Sequence, residues 1–367
     1  MAAKKKLLIV AGCMNTGGLE KQLLHLAANL EQSKYIIDFT SDQEECDYKR
    51  DILSSGWGYI YLPAKSEVGL YQYCKKLYKL LRNNDYDIVH SHELFHSGIV
   101  MYVAWLAGVK KRIAHSHSTK DDNTQHNAFL KIIYQRLMRR CIDVFATDCI
   151  GCSTQAAVFL FGKIMMHTKK VHVIVNSIDT KLFFPQSNTR KAEEWKTVVH
   201  VGRFVDVKNQ AFIIQIARES QISNANIRFV FVGDGPTFDL IRTQACDLER
   251  CGYVIFLGMR SDIPDILRES DVFILPSKFE GMPLSLIEAQ TSGLPCVVAD
   301  HITNEIDIGL GLIKKASLDL PASYWLSQIK AALKIGRPSL EAIKIAVSER
   351  GFDNVDYVKK IDRIYNG

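Results

Sequence analysis

A chain of 367 residues is longer than one hydrophobic core comfortably fills, so two domains are expected. With 47% hydrophobic and 23% charged residues it has the composition of a globular protein, and its longest apolar run, 98–109, is too short to span a bilayer. The net charge of +6 is uneven, because residues 1–190 carry +8 and the remainder −2; the N-terminal half is therefore expected to meet an anionic partner, whether nucleic acid, an acidic bilayer surface or a phosphorylated acceptor.

Residues 6–11 read as a first strand, followed by a glycine turn ending in Gly17-Gly18 and a helix over 19–30. That is the opening of a doubly wound domain, but the Gly-x-Gly-x-x-Gly spacing of dinucleotide enzymes is absent. Further strands are predicted at 35–40, 59–62, 88–91, 112–115, 144–147 and 171–175, with helical stretches between them, which implies a mostly parallel sheet covered on both faces. Residues 71–82 and 129–140 have the pattern of basic amphipathic helices. Each simply buries one face and solvates the other, and their shared sign adds an attachment to anionic lipid. Aromatics are not interleaved with the basic residues in a nucleic-acid motif, so no nucleic-acid partner is expected.

Histidines cluster after two strands, with His90, His92 and His96 after one and His115 and His117 after the next. No metal is assigned to either group; strand ends at the carboxyl edge of a parallel sheet are where ligands bind. Nine cysteines, an odd number, argue against a disulfide framework, and Cys149-Ile150-Gly151-Cys152, with no second pair, reads as buried thiols. No charged-then-apolar leader opens the chain, which gives a cytoplasmic expectation.

The polar segment 186–194 looks like an exposed connection. A second strand–turn–helix series then begins at 197–202 and places Arg203 and Lys208 beside a glycine turn, where a guanidinium fork and a point charge suit a diphosphate, although both are equally ordinary surface charges. Strands at 227–232 and 254–257 follow, with the turns Gly233-Asp234-Gly235-Pro236 and Gly258-Met259-Arg260. The strand 271–276 runs into Ser277-Lys278-Phe279-Glu280-Gly281-Met282-Pro283-Leu284, and the next helix opens with Pro283 and Leu284. Its free amides and dipole would face an anion, and Glu280 and Glu288 are placed to hold hydroxyls. A strand at 296–299 and helices from Ala322, Ser339 and Asn354 complete the chain.

A strand–loop–helix junction with Gly and Pro is common, but the longer pattern is specific: Glu280, seven residues, Glu288, with Gly281-Met282-Pro283 inside and Ser292-Gly293-Leu294-Pro295 just after. It resembles the retaining nucleotide-sugar glycosyltransferases of family 4, most closely those of bacterial exopolysaccharide and capsule synthesis. The resemblance implies the α/β GT-B fold, with two Rossmann-like doubly wound domains facing across a cleft, residues 1–185 on the acceptor side and 195–350 binding the nucleotide sugar, and a C-terminal helix, 351–367, crossing back to the N-terminal domain. It implies a hinge near 186–194 and no cofactor beyond the nucleotide-diphosphate sugar donor, with UDP the expected nucleotide. By the same resemblance Arg203 and Lys208 grip the donor diphosphate, and Glu280 orients the sugar. Gly281, Met282, Pro283, Leu284, Glu288 and Arg260 bind the rest of the donor, and Gly17 and Gly18 face the acceptor. A histidine contacts the donor sugar; His117 is the first choice because His-Ser-Thr matches the family's turn, and His115 is the alternative. The expected acceptor is a lipid-linked saccharide, met by a peripheral protein on the inner face of the plasma membrane. A glycosidase using the paired carboxylates, a nucleotide-sugar 2-epimerase of similar architecture and a non-catalytic nucleotide- or glycan-binding module are the competing expectations.

Overall fold

Short runs of Val, Ile, Leu and Phe with no polar alternation recur along the chain, the signature of strands buried on both faces. The computed structural model describes residues 4–15, 17–119, 128–168, 170–186 and 194–367. They divide into two units, Met1–Asn176 with Asn354–Gly367, and Ser177–Asp353.

In the first unit, β1 (Lys5–Val10), β2 (Tyr35–Ser41), β3 (Gly58–Tyr61), β4 (Ile88–Ser91), β5 (Lys111–Ser116), β6 (Asp148–Gly151) and β7 (Val171–Val173) form a parallel sheet in the order β3-β2-β1-β4-β5-β6-β7. Because successive strand residues point to opposite faces, Leu8, Val10 and Val89 enter one core with Leu77, Val100 and Ile142. Leu7, Ile9 and Ile88 enter the other with Leu23, Leu26 and Ile361. The last helix, Asn354–Asn366, belongs to this unit and buries Tyr357, Val358, Ile361, Ile364 and Tyr365 against it, partly on the helix Gly18–Asn29. Those positions share one face at helical spacing.

The second unit repeats the design with β8 (Lys196–Val201), β9 (Ile227–Val232), β10 (Val254–Phe256), β11 (Val272–Leu275), β12 (Cys296–Ala299) and β13 (Ile313–Ala316), in the order β10-β9-β8-β11-β12-β13. In each sheet the strand order reverses beside the first strand, between β1 and β4 and between β8 and β11. Outside the carboxyl ends of the strands, such reversal points open a crevice in which doubly wound folds hold their ligands.

One expectation is corrected, one strand went unforeseen and one boundary differs. Residues 144–147 are not a strand: Val144 and Phe145 end the helix Ala128–Phe145, Ala146 N–H still donates to Ile142 C=O, and the strand is Asp148–Gly151. β-Branched and aromatic residues there serve a helix face rather than a sheet. β13 was not foreseen, because Ile313-Lys314-Lys315-Ala316 has too little apolar content to stand out. The chain changes units at Asn176–Ser177, ahead of Pro185, because Ile178 N–H donates to Phe352 C=O and Thr180 Oγ1 to Asp353 Oδ2, both in the second unit. Most of the expected hinge, 187–193, lies outside the described residues. The nine cysteines are thiols rather than disulfides, with Cys149 and Cys152 fully buried.

Candidate active site

At the reversal point of the second sheet, the turn after β8 and the loop after β11 are joined side by side. Lys278 N–H donates to Val207 C=O at 2.8 Å, Asn209 Nδ2 to Pro276 C=O at 3.1 Å, and Lys278 Nζ meets Asp206 Oδ2 at 2.7 Å. Within that frame Lys208 Nζ lies 2.6 Å from Glu280 Oε1, with both side chains largely buried. Two residues 72 positions apart in the chain, each singled out from sequence, thus meet at one place. An ammonium has three N–H donors, and Glu280 takes one of them.

The turn that carries Arg203 and Lys208 is fixed from beneath. His200, fully buried on β8, donates from Nδ1 to Ile274 C=O at 3.0 Å, which leaves Nε2 to accept from Gln210 Nε2 at 3.3 Å. The same Gln210 amide donates to Arg203 C=O at 2.9 Å. Burial pushes the His200 pKa down to about 4, reinforced by the nearby Lys208 charge, so the ring stays neutral and its tautomer is set by these two bonds. Phe204 anchors the turn among Phe231, Phe238 and Phe256, while the Arg203 guanidinium is exposed. The Gly233-Asp234-Gly235 turn packs on the same backbone: a Cβ on Gly233 would stand 2.2 Å from Gly202 O, and one on Gly235 2.4 Å from Phe204 O. Both glycines have positive φ, 131° and 155°. His200 and Gln210 escaped the sequence reading, although a histidine inside Val-Val-His-Val was the available signal.

The helix after the Glu280 loop spans Leu284–Thr291, with Pro283 as its cap residue rather than its first helical one. No side chain caps it. Met282 and Pro283 are buried beside Gly281, and Glu288 is buried within the helix at 4% exposure. Ser277 Oγ is buried without a protein partner where β11 gives way to this loop. Arg260 is half-exposed and paired through two nitrogens with Asp262.

In the first unit, Gly17 caps the helix Gly18–Asn29 with extended backbone and no side-chain hydrogen bond. A Cβ on Gly17 would meet Glu20 Oε2 at 2.2 Å. His115 is wholly buried and His117 partly exposed, so of the two candidates only His117 reaches the surface.

Residues 16–182 match the family described as Glycosyltransferase Family 4, and residues 184–308 match Glycosyl transferases group 1. Over its whole length the chain is 34% identical to the putative glycosyltransferase EpsF of Bacillus subtilis, covering 97% of that protein. The chain belongs to glycosyltransferase family 4. This family 4 glycosyltransferase is also 29% identical to the capsular polysaccharide biosynthesis glycosyltransferase CapH of Staphylococcus aureus, over 89% of the chain and 90% of CapH. It is 32% identical, over 61% of the chain and 60% of the relative, to an Escherichia coli UDP-Gal:alpha-D-GlcNAc-diphosphoundecaprenol alpha-1,3-galactosyltransferase. Among solved structures, HepE of Anabaena in complex with UDP aligns with a TM-score of 0.73 at 18% identity, over 99% of the chain and all of HepE. The two doubly wound units are those of the GT-B fold.

Proposed function

We propose that this glycosyltransferase moves a hexosyl or N-acetylhexosaminyl unit from a UDP-sugar to a lipid-linked saccharide, with retention of anomeric configuration, in the synthesis of an extracellular or capsular polysaccharide. The observation that carries the proposal is the Lys208–Glu280 pair at the strand-order reversal of the second sheet. Breaking the bond to the anomeric carbon places positive character on the sugar and negative charge on the departing diphosphate. Lys208 and Arg203 stabilise that negative charge, together with the amides that open the helix Leu284–Thr291. Glu280, tied to Lys208, orients the sugar hydroxyls, so one ion pair links the two ends of the breaking bond. Glu288 takes the ribose hydroxyls, Arg260 the base side, and His117 a sugar hydroxyl. The fixed cations make a divalent ion at the diphosphate unnecessary. The acceptor is assigned to the Gly17–Gly18 turn, and the proton of its attacking hydroxyl passes to the leaving phosphate.

The lipid-linked acceptor is supported by the relative that acts on a diphosphoundecaprenol-linked sugar, and the UDP donor by the HepE complexes with UDP and UDP-glucose. Attachment to an anionic membrane surface is supported by the helix Ala128–Phe145, which mixes Lys131, Arg136 and Arg140 with exposed apolar side chains. Among the described residues no helix is long and apolar enough to cross a membrane. Incubation with a panel of nucleotide sugars and a lipid-diphosphate-linked saccharide, read by mass spectrometry and by the anomeric coupling of the product, tests the proposal. UDP release with an acceptor one sugar heavier and an unchanged anomer is expected. Conversion of the donor without acceptor, or no nucleoside diphosphate from any donor, overturns it.

A further inference from the structure

β4 and β5 are adjacent parallel strands, and each runs out into the same tripeptide, His90-Ser91-His92 and His115-Ser116-His117. The serines turn away: Ser91 Oγ pairs with Ser97 Oγ at 2.9 Å, and Ser116 Oγ donates to Ala156 C=O at 2.7 Å. The four imidazoles gather on the opposite face. His90 Nε2 lies 3.2 Å from His115 Nδ1, and His92 Nδ1 2.8 Å from His117 Nε2; ring centroids of His115 and His117 are 4.0 Å apart. His90 and His115 have no exposed surface, and His92 only 7%.

The four rings pack against one another at the interior end of the two strands, where charge on any of them would be poorly solvated. A neutral imidazole carries one N–H and one lone pair. The two ring-to-ring contacts use only part of that capacity, and His92 Nε2, His115 Nε2 and His117 Nδ1 are buried without a protein partner. Leaving such atoms unsatisfied is unfavourable, and a bound cation that accepts lone pairs is one of the standard remedies.

We propose that His90, His92 and His115 form a binding site for a divalent transition-metal ion of the zinc type. One nitrogen from each of the three lies within 4.8 Å of the others. Zinc–nitrogen bonds of about 2.0–2.1 Å in tetrahedral geometry set neighbouring nitrogens roughly 3.4 Å apart, so small ring rotations suffice to close the set. An all-nitrogen, uncharged donor set selects zinc, copper, nickel or cobalt and disfavours magnesium and calcium, which require oxygen ligands. Three imidazoles leave a fourth position for water or an anion. A partner outside the ligand set is in place as well. Tyr365 OH, on the last helix, lies 2.7 Å from His90 Nδ1, so a His90 that binds through Nε2 donates its Nδ1–H to that oxygen and is held in the metal-binding tautomer. The site lies within the first unit and is independent of the charges assigned to the diphosphate in the second. Sequence spacing concealed it because its ligands come from two strands whose ends meet only in the folded sheet.

The test uses full-length protein without a histidine tag, stripped with a chelator and titrated with zinc chloride by calorimetry and with cobalt(II) by absorption. One ion per chain, with the visible bands of four-coordinate cobalt, is expected. His92→Gln and His115→Gln each abolish uptake, Tyr365→Phe weakens it about 10–100-fold, and His301→Gln, at an exposed histidine of the second unit, leaves it unchanged. Zinc raises the melting temperature of the unsubstituted protein but not that of His92→Gln. Should His115→Gln fail to fold, His92→Gln and Tyr365→Phe carry the comparison. No stoichiometric uptake, uptake that persists in His92→Gln, or equal loss in His301→Gln overturns the proposal.

Discussion

Lys208 and Glu280 satisfy each other in a largely buried position, with the two side chains 18% and 11% exposed. Removing one partner therefore leaves the other charge uncompensated, which is costly on its own. The catalytic assignment adds a second consequence that a purely structural pair lacks. Lys208→Met is expected to lower kcat by about a hundred- to thousandfold, the effect of losing one pre-aimed donor, or about 3–4 kcal/mol. Glu280→Gln keeps a hydrogen-bonding side chain and loses the charge, and the double variant should be less impaired than the product of the single effects, because the two residues act as a unit. Steady-state kinetics with melting temperatures measured in parallel decide the matter. A Lys208→Met protein with a lowered melting temperature and normal kcat/KM would sink the assignment.

His200 beneath this pair gives a pH signature. Its folded-state pKa of about 4 lies below the usual value of 6.5, so the unfolded chain binds the proton more readily. The contribution of neutral His200 is full above about pH 6.5 and is lost progressively as pH falls towards 4. From pH 7 to pH 5 this one group lowers the unfolding free energy by about 2 kcal/mol. Urea denaturation at the two pH values checks it, and His200→Gln should show a shallower decline over that interval.

At the scale of elements, the site depends on backbones that approach closely. β9 gives way to Gly233, whose φ of 131° and close approach to Gly202 O leave no room for a side chain. Gly233→Ala is expected to cost about 1–3 kcal/mol of stability and to weaken UDP binding, because the turn bearing Arg203 must shift to make room. Calorimetric titration with UDP and a thermal melt measure both; unchanged UDP affinity would separate that turn from the donor site. The strands that were legible in the sequence, such as Val272–Leu275 and Cys296–Ala299, are buried on both faces and read as unbroken apolar runs. Where local preference and tertiary setting disagree, legibility fails: Val144 and Phe145 look like sheet but finish a helix, while Ile313–Ala316 looks polar and pairs with β12. The residues of the Glu280 loop and the Arg203 turn were visible because their pattern is long. His200 and Gln210 were not, since their roles arise from neighbours 10 to 74 positions away; the strand-end histidines were noticed, but not their meeting across β4 and β5.

For the whole molecule, the excess of positive charge in residues 1–190 is the feature that bears on where the enzyme works. Two basic helices were expected there, and the structure separates them. Leu70–Asn84 buries Tyr73, Leu77 and Leu81 and solvates Lys75, Lys76 and Lys79, with Leu70 and Tyr71 exposed at its start. Ala128–Phe145 leaves Phe129, Leu130 and Leu137 more than half exposed, with Ile132 and Ile133 close behind, next to Arg136 and Arg140. Apolar side chains rimmed by cations suit the boundary between headgroups and acyl chains, where burial and attraction to anionic lipid add. In flotation assays the protein is expected to rise with vesicles containing an anionic phospholipid and to remain behind with phosphatidylcholine alone, and added salt should weaken the association because screening shortens the reach of the basic side chains. Leu130→Asp with Ile133→Asp should abolish flotation while Lys75→Ala with Lys79→Ala only reduces it, since the first pair removes the inserted face and the second only distant charge. If the paired aspartates float as well as the unsubstituted protein, the helix Ala128–Phe145 is not the membrane contact, and its exposed apolar face must answer to something else.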